Sequence, residues 1–154
     1  MPGPSPEIAL VPQPDARIAI VAARWHADIC DDLIAGAKRA LAQAQVSEVI
    51  IAYVPGSFEL PLAAQLLLDQ GYDAAIVVGI VLKGETPHFD YVCNGVTDGV
   101  MTVSLSRSKP VGFGVLMVNT LEQAYARAGR PDSFEDKGYD AAVAALKLLE
   151  IKTA

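Results

Sequence analysis

Cysteine and charged residues are scarce in this sequence, and each shortage excludes a class of protein. The 154 residues include two cysteines, Cys30 and Cys93, whose spacing fits neither a metal site nor a disulfide framework. Charged residues make up 19% of the chain, and the net charge at pH 7 is −6. Nucleic acids and anionic membranes require basic patches, so neither is an expected partner.

Uninterrupted apolar segments are too short for a membrane-spanning helix. Hydrophobic residues account for 52% of the chain, yet no window reaches the roughly 18 consecutive apolar residues that a bilayer demands. The apolar surplus therefore predicts a buried interface between subunits. No secretory signal peptide is recognisable, which predicts a cytoplasmic protein.

The beginning of the chain is rich in proline, at positions Pro2, Pro4, Pro6, Pro12 and Pro14. Because proline disfavours a helix, residues 1–16 are expected to form an extended or disordered arm. Residues 8–11 could add an edge strand, although the proline at position 12 limits it. Residues 17–154 are expected to form a single domain.

Four apolar segments alternate with helical ones beyond the arm. The predicted strands are Arg17–Ala23, Glu48–Val54, Ala74–Leu82 and Val111–Val118. The predicted helices cover about 28–45 with Asp28 as N-cap, 58–70 and 88–106. A fourth runs from the Thr120–Gln123 capping box to near 129–131, and the last runs from roughly Phe134 or Asp136 to Glu150. This alternation implies right-handed parallel crossovers, and hence a three-layer α/β/α sandwich around four parallel strands.

The carboxyl ends of parallel strands meet at one edge of the sheet, where α/β proteins bind ligands. The loops expected there are Trp25-His26, Pro55–Glu59, Lys83–His88 and Asn119-Thr120. They bring together an aromatic face, a carboxylate, a Gly-x-Thr loop before a helix, and an imidazole. Exposed N–H groups at a helix amino terminus favour an anion, so the Lys83–His88 loop is a candidate phosphate site.

Single residues at this edge also have ordinary structural interpretations. Trp25 is explained equally well by packing at the rim of the core and by stacking on a heteroaromatic ligand. His88 either caps its helix or transfers protons beside a bound anion. Glu59 either complements the helix dipole or accepts hydrogen bonds from ligand hydroxyls. Arg127, considered alone, is typical of a solvated or ion-paired surface arginine.

Three familiar kinds of site are not indicated. His26, His88 and Glu59 lie on separate loops without metal-ligand spacing. Ser57 follows a single glycine and lacks the Gly-x-Ser-x-Gly pattern of a serine elbow. The segment Lys83–Thr86 lacks the glycine spacing of a Walker loop. A metal centre, an activated serine and a Walker-type nucleotide site are therefore not expected.

Several ordered motifs resemble the signatures of the lumazine synthase family. Residues 54–61, Val-Pro-Gly-Ser-Phe-Glu-Leu-Pro, are similar to its V-P-G-x-x-E-x-P motif. Gly79 with residues 82–89 resembles its G-x-V-I-x-G-x-T-x-H-F/Y motif. The remaining matches are F-G-V-L at 113–116, E-Q-A-x-x-R-A-G at 122–129 and K-G at 137–138. The resemblance covers about residues 17–150 and implies a flavodoxin-like fold.

The resemblance implies a riboflavin-pathway enzyme that needs no cofactor. Members of the family condense 5-amino-6-(ribitylamino)uracil with 3,4-dihydroxy-2-butanone 4-phosphate. The products are 6,7-dimethyl-8-ribityllumazine, phosphate and two waters. The family's sites lie between subunits, so the resemblance implies a homo-oligomer in which the neighbour supplies Phe113 and Arg127. A longer loop between Gly129 and Lys137, stiffened by Pro131, favours a pentamer over a closed icosahedral shell.

Site roles carry over onto the matching positions. His88 corresponds to the acid/base, while Gly84, Glu85, Thr86 and Arg127 correspond to the phosphate site. Trp25 would stack on the pyrimidine, and Phe113 would close the pocket with Lys137 nearby. The ribityl chain would be held by Ser57, Phe58 and Glu59, and the pyrimidinedione by backbone groups of Ile80, Val81 and Leu82.

Besides the longer loop, two departures from the family pattern qualify this assignment. Trp25-His26 stands where Phe-Asn is commoner, which removes an amide contact, and Lys83 replaces the usual arginine.

The same residues also fit three different functions. The pocket could belong to a flavin or lumazine carrier without turnover. It could also be the vestigial site of a scaffold, or the site of a related riboflavin synthase that acts on lumazine alone.

Overall fold

The computed structural model describes residues 3–153, and a four-stranded parallel sheet forms its centre. The strands are β1 (Arg17–Ala23), β2 (Glu48–Val54), β3 (Ala74–Leu82) and β4 (Val111–Val118). Their order across the sheet is β2-β1-β3-β4. All four predicted strands are confirmed, and so is the parallel pairing expected from the alternation of strands and helices.

Within the described residues, five α-helices connect and cover the strands. They are α1 (Ala27–Gln43), α2 (Leu60–Asp69), α3 (His88–Arg107), α4 (Leu121–Tyr125) and α5 (Lys137–Thr153), with a 3-10 turn at Ser57–Glu59 ahead of α2. The Thr120 hydroxyl accepts from the Gln123 N–H at 3.3 Å, as the capping box predicts. Within residues 3–153, no helix combines the length and the hydropathy that crossing a membrane requires.

Three of the predicted helices have different boundaries. The N-cap of α1 is His26, not Asp28, and it has a left-handed φ of 55° without a side-chain cap. Helix α4 ends at Tyr125 rather than near 129–131, because turns follow at residues 126 and 127. The last helix begins at Lys137, because residues 130–136 instead form turns and the Ala128–Asp136 bridge.

The helices form two layers around β3, whose side chains are almost all buried. Helices α1 and α5 pack together on one face of the sheet, while α2 and α3 pack together on the other. This arrangement confirms the three-layer α/β/α sandwich. Burial on both faces explains why β3 is an unbroken apolar run rather than an alternating one.

The described part of the amino-terminal arm lies along the α1–α5 layer and adds no strand to the sheet. The backbone N–H of Gln13 donates to the Ala44 carbonyl at 2.8 Å, and its side-chain amide donates to the Leu146 carbonyl at 2.9 Å. Leu10 packs against the core. The possible edge strand at 8–11 is therefore not formed, and Pro2 lies outside the described residues.

Helices α1 and α5 approach so closely that glycine is required at their contact. A Cβ added to Gly138 would overlap the Leu33 carbonyl oxygen and lie 2.8 Å from the Leu33 Cα. A Cβ on the facing Gly36 would lie 2.9 Å from the Tyr139 nitrogen. Backbone atoms cannot move aside as the end of a flexible side chain can, so this contact tolerates no larger residue.

Gly138→Ala is therefore expected to lower the free energy of unfolding by about 2 kcal/mol, although alanine favours helix. Urea denaturation at matched protein concentration measures the change. Gly84→Ala is the control, because a Cβ there meets no atom within 4 Å. Equal stability of the two variants would contradict the proposed crowding at Gly138.

Candidate functional site

The carboxyl ends of the four strands lie together, as predicted, and their loops are held side by side. The Arg24 N–H donates to the Pro55 carbonyl at 3.2 Å, which joins the loops after β1 and β2. The Lys83 N–H donates to the Val118 carbonyl at 2.9 Å, which joins the ends of β3 and β4. Most of the predicted site residues lie on this edge.

Trp25 and Glu59 meet around Gly56. A Cβ on Gly56 would lie 3.1 Å from the Trp25 Cδ1 and 3.3 Å from the Glu59 Oε2, so a glycine allows both contacts. The Gly56 N–H donates to that carboxylate oxygen at 3.0 Å. Oε1 of Glu59 has no hydrogen-bond partner among the described residues. Glu59 thus stabilises the turn through one oxygen and can offer the other to a ligand.

The indole of Trp25 is 68% exposed, so one broad face is open for stacking. Its position is set by His26, which adopts the left-handed conformation at φ 55°. Asparagine and histidine are both enriched in this conformation. Histidine at position 26 is therefore as compatible with this turn as the asparagine that the resemblance makes commoner there, and Trp25 keeps an aromatic face.

Ser57 serves the fold through its side chain. The residue is 5% exposed, and its hydroxyl donates to the Ile80 carbonyl at 3.1 Å. A Cβ on Gly79 would lie 2.6 Å from that hydroxyl oxygen, so glycine makes room for the contact. Only the backbone of Ser57 remains to meet a ligand, in agreement with the backbone role that the resemblance implies.

The end of β3 has backbone groups that the sheet does not use. Pairing with β1 stops at Val78, whereas pairing with β4 continues to Leu82. Residues 80–82 therefore extend past β1, towards the loops that hold Trp25 and Ser57. The Ile80 and Val81 side chains are buried, so contact with a ligand here is restricted to the main chain.

The Gly84–Thr86 loop and His88 form the amino-terminal end of α3. The residues Gly84, Glu85, Thr86 and His88 are all exposed. The N-cap of α3 is Pro87, without a side-chain cap, and the His88 N–H donates to the Thr86 hydroxyl at 3.4 Å. The imidazole of His88 has no hydrogen-bond partner among the described residues. It is therefore available for proton transfer beside an anion bound at this terminus.

Arg127 and Lys137 form a second, separate cluster. The Arg127 Nη1 donates to the Gln123 carbonyl at 2.9 Å, and its Nε lies 3.3 Å from Glu135 Oε2. The Lys137 Nζ lies 3.5 Å from Glu135 Oε1, and the Lys137 N–H donates to the Arg127 carbonyl at 3.0 Å. The Arg127 guanidinium also lies over the Phe134 ring, 5.2 Å from its centroid.

Glu135 and Phe134 were missed by the sequence analysis. The only signal in the sequence was an acid and an aromatic between two basic residues, in a loop without regular structure. Their contacts with Arg127 and Lys137 form because the loop folds back onto the end of α4, and the sequence pattern does not show this.

Phe113 does not reach the carboxyl edge of its own chain. It is the third residue of β4, five residues before the strand ends at Val118. At a rise of roughly 3.3 Å per residue, this places it about 16 Å from the edge. Its side chain is 41% exposed. A single chain therefore holds the predicted site residues in at least two places.

The aromatic residues on the carboxyl-end loops are largely exposed in the single chain. Trp25 and Phe58 are 68% and 60% exposed. A groove of about 420 Å³ lies between α1 and the edge strand β2 and is lined by Lys38, Leu41, Ala42, Val46, Val49 and Ile51. It contains none of the predicted site residues. The loops thus present an open surface rather than a complete cavity.

Metal binding and thiol chemistry find no support in residues 3–153. No group of three or more potential ligands among the described His, Cys, Asp and Glu residues could hold a metal ion. Burial raises the pKa of the Cys30 thiol to about 11, so it stays protonated at neutral pH. The thiol lies 3.4 Å from the Trp25 carbonyl, as a donor to it.

Comparison with known proteins identifies relatives that match nearly the whole chain. A family model described as 6,7-dimethyl-8-ribityllumazine synthase matches residues 15–153. A protein of that name from Nocardioides sp. is 52% identical over 142 residues, covering 92% of this chain and 88% of that protein. Those from Streptomyces coelicolor and Mycolicibacterium gilvum are 49% and 50% identical, with the same coverage of both chains.

The Ser57 hydroxyl is expected to contribute to stability. In Ser57→Ala, the buried Ile80 carbonyl loses its side-chain partner, which lowers the free energy of unfolding by about 1–3 kcal/mol. Chemical denaturation measures the loss. Thr102→Ala is the matched control, because that exposed hydroxyl only donates to the Asp98 carbonyl within α3. An unchanged stability in Ser57→Ala would contradict the structural role.

Proposed function

Because the chain belongs to the 6,7-dimethyl-8-ribityllumazine synthase family, an enzyme family of riboflavin biosynthesis, we propose that it completes its active site between two subunits. The reaction joins 5-amino-6-(ribitylamino)uracil to 3,4-dihydroxy-2-butanone 4-phosphate. It forms two carbon–nitrogen bonds and one carbon–carbon double bond, and it releases one phosphate and two waters. No electrons enter or leave, so no redox cofactor is required.

The observation that supports the shared site is the position of Phe113. It lies about 16 Å from the carboxyl edge of its own sheet, by the rise of a strand, yet the family resemblance assigns it to the pocket wall. A second chain placed against the carboxyl-end loops would supply it. The exposure of Trp25 and Phe58 fits the same arrangement, since both would be covered by the second chain.

The two halves of the proposed site are chemically different. One chain supplies the aromatic face, the ribityl contacts and the Gly84–Thr86 loop with His88. The neighbour supplies Phe113 and Arg127. Lys137 belongs with the neighbour's half, because its N–H donates to the Arg127 carbonyl and Glu135 bridges both side chains.

Catalysis would rest on placement and proton transfer. The backbone N–H groups at the start of α3 and the partner subunit's Arg127 would hold the phosphate group. Trp25 would hold the pyrimidine, so that the amine and the ketone meet in one cavity. His88, exposed next to the phosphate loop, would carry protons between the amine, the carbonyl and the leaving groups.

A pentamer is the assembly we propose. Exposed apolar side chains on α2 and α3 form a surface suited to burial between subunits: Leu62, Leu66, Tyr91, Met101 and Leu105 are each more than half exposed. The elongated loop between Gly129 and Lys137 favours a pentamer over a closed shell, as the family pattern implies. Sedimentation of the purified protein distinguishes the two assemblies.

A cytoplasmic location and a single domain over residues 17–154 complete the proposal. Cys30 and Cys93 are both free thiols, which suits a reducing compartment. The two free thiols by themselves do not indicate which reaction the protein catalyses.

Purified protein mixed with both substrates should produce lumazine fluorescence and free phosphate faster than the uncatalysed reaction. His88→Ala is expected to lower kcat about 100-fold with little change in KM, because only proton transfer is lost. Arg127→Ala should raise KM for the phosphorylated ketone about 10- to 100-fold, because a charged contact to the phosphate is lost.

Lys38→Ala, in the groove beside β2, is the control and should behave as wild type.

Flavin binding without product formation would instead support the carrier, and product formed from lumazine alone would support a riboflavin synthase. Equal loss of substrate affinity in the His88 and Arg127 variants would contradict the separate roles assigned to them.

Mixed oligomers test whether His88 and Arg127 of one site come from different chains. At ketone concentrations well below KM, His88→Ala subunits and Arg127→Ala subunits should each show about a tenth of the wild-type activity or less when assayed alone. Co-refolded in equal amounts, they should regain about one quarter of wild-type activity, because a site combining an intact His88 with a neighbour's intact Arg127 forms at that frequency.

His88→Ala mixed with Thr86→Ala is the matched control. Both residues lie on the same half of the site, so every site in that mixture lacks one of them and no activity should return. Recovery in the control mixture, or none in the first, would contradict the shared site.

A further inference from the structure

The carboxylate of Glu135 bridges the two cations of the proposed phosphate-binding half. Its side chain is 12% exposed, and its two oxygens face different partners. Oε2 lies 3.3 Å from Arg127 Nε, and Oε1 lies 3.5 Å from Lys137 Nζ. A carboxylate this shielded is screened little by salt, so its charge acts strongly on both neighbours.

Three neighbouring groups contact the guanidinium of Arg127 and fix its orientation. Glu135 occupies the Nε edge, the Gln123 carbonyl accepts from Nη1, and the Phe134 ring covers one face of the guanidinium. Nη2 has no hydrogen-bond partner among the described residues. The outer end of the guanidinium is thus the part left for a phosphate oxygen, and its direction is fixed before any ligand arrives.

The charges of the cluster balance. Arg127 and Lys137 are two cations, and Glu135 and Asp140 are two carboxylates, with Asp140 Oδ2 lying 3.7 Å from Lys137 Nζ. A phosphate group therefore meets well-oriented donors but no surplus of positive charge. The reaction releases phosphate as a product, so donors that recognise the group without holding it tightly suit repeated turnover.

We propose that Glu135 is a positioning residue that orients Arg127 and limits the affinity of the site for phosphate. Its carboxylate fixes which end of the guanidinium faces the ligand. Its negative charge opposes that of the bound phosphate and so favours product release. The inference rests on the proposed function, because it requires Arg127 to contact the phosphate group.

Glu135→Gln separates the two effects. Glutamine has nearly the same shape and keeps a carbonyl oxygen that can accept from Arg127 Nε, but it carries no charge. The variant is expected to bind inorganic phosphate about tenfold more tightly, because an opposing charge near the ligand is removed. Damage to the fold alone would weaken phosphate binding, so the direction of the change is diagnostic.

Glu135→Ala removes both the charge and the side-chain oxygens that lie against Arg127 and Lys137. Arg127 then loses its fixed direction, and the gain in phosphate affinity should be smaller than in Glu135→Gln. Glu122→Gln is the matched control: it removes the same charge from residue 122 in α4, which has no ion pair among the described residues. It should bind phosphate as wild type does.

The measurement is calorimetric titration of the assembled oligomer with inorganic phosphate, alongside steady-state kinetics. KM for the phosphorylated ketone should fall in Glu135→Gln, while KM for the pyrimidine stays unchanged. Unchanged or weaker phosphate binding in Glu135→Gln would overturn the inference.

Phosphate binding by Arg127→Ala distinguishes a failure of this inference from a failure of the proposed function. If Arg127→Ala binds phosphate as wild type does, Arg127 is not a phosphate ligand and the phosphate site given in the proposed function is wrong. If Arg127→Ala weakens binding while Glu135→Gln does not strengthen it, only the role given to Glu135 is wrong.

Discussion

The hydrogen bond from the Ser57 hydroxyl to the Ile80 carbonyl joins the loop after β2 to the strand at the centre of the sheet. Gly79 makes room for it, and the 3-10 turn that follows sets the direction of Glu59. Glu59 in turn holds Gly56, against which the Trp25 indole lies. The ribityl and pyrimidine contacts proposed for this edge thus depend on one buried hydroxyl, since an unpaired carbonyl there would be costly.

The same architecture supports the proposal that two chains complete the site together. Parallel strands bring their loops to one edge, and the start of α3 provides N–H groups for an anion but no arginine to pair with it. The arginine proposed for that role is held in a separate cluster at the end of α4. In the proposed assembly, association of two chains would provide both the missing charge and burial for apolar side chains that a single chain leaves exposed.

The protein is acidic overall, with a net charge of −6, yet the proposed substrate is anionic. Recognition must therefore come from local geometry rather than from long-range attraction. The cluster around Glu135 fits this requirement, because it orients a guanidinium without building up positive charge. An enzyme that must release phosphate in each cycle is better served by directed donors than by the highest possible affinity.

The sequence by itself determined the four strands with their bounds, the layered α/β/α order and the loop that opens α3. These features follow from local signals: apolar runs, glycine and proline punctuation, and the Thr120–Gln123 cap. It also identified the family, because several motifs occur in the right order. Only the tertiary structure decided that Ser57 bonds to Ile80, that His26 caps α1, that Glu135 bridges Arg127 and Lys137, and that Phe113 lies far from its own edge. Each of these depends on where residues that are separate along the chain meet in space, and the pattern of a single segment carries no information on that.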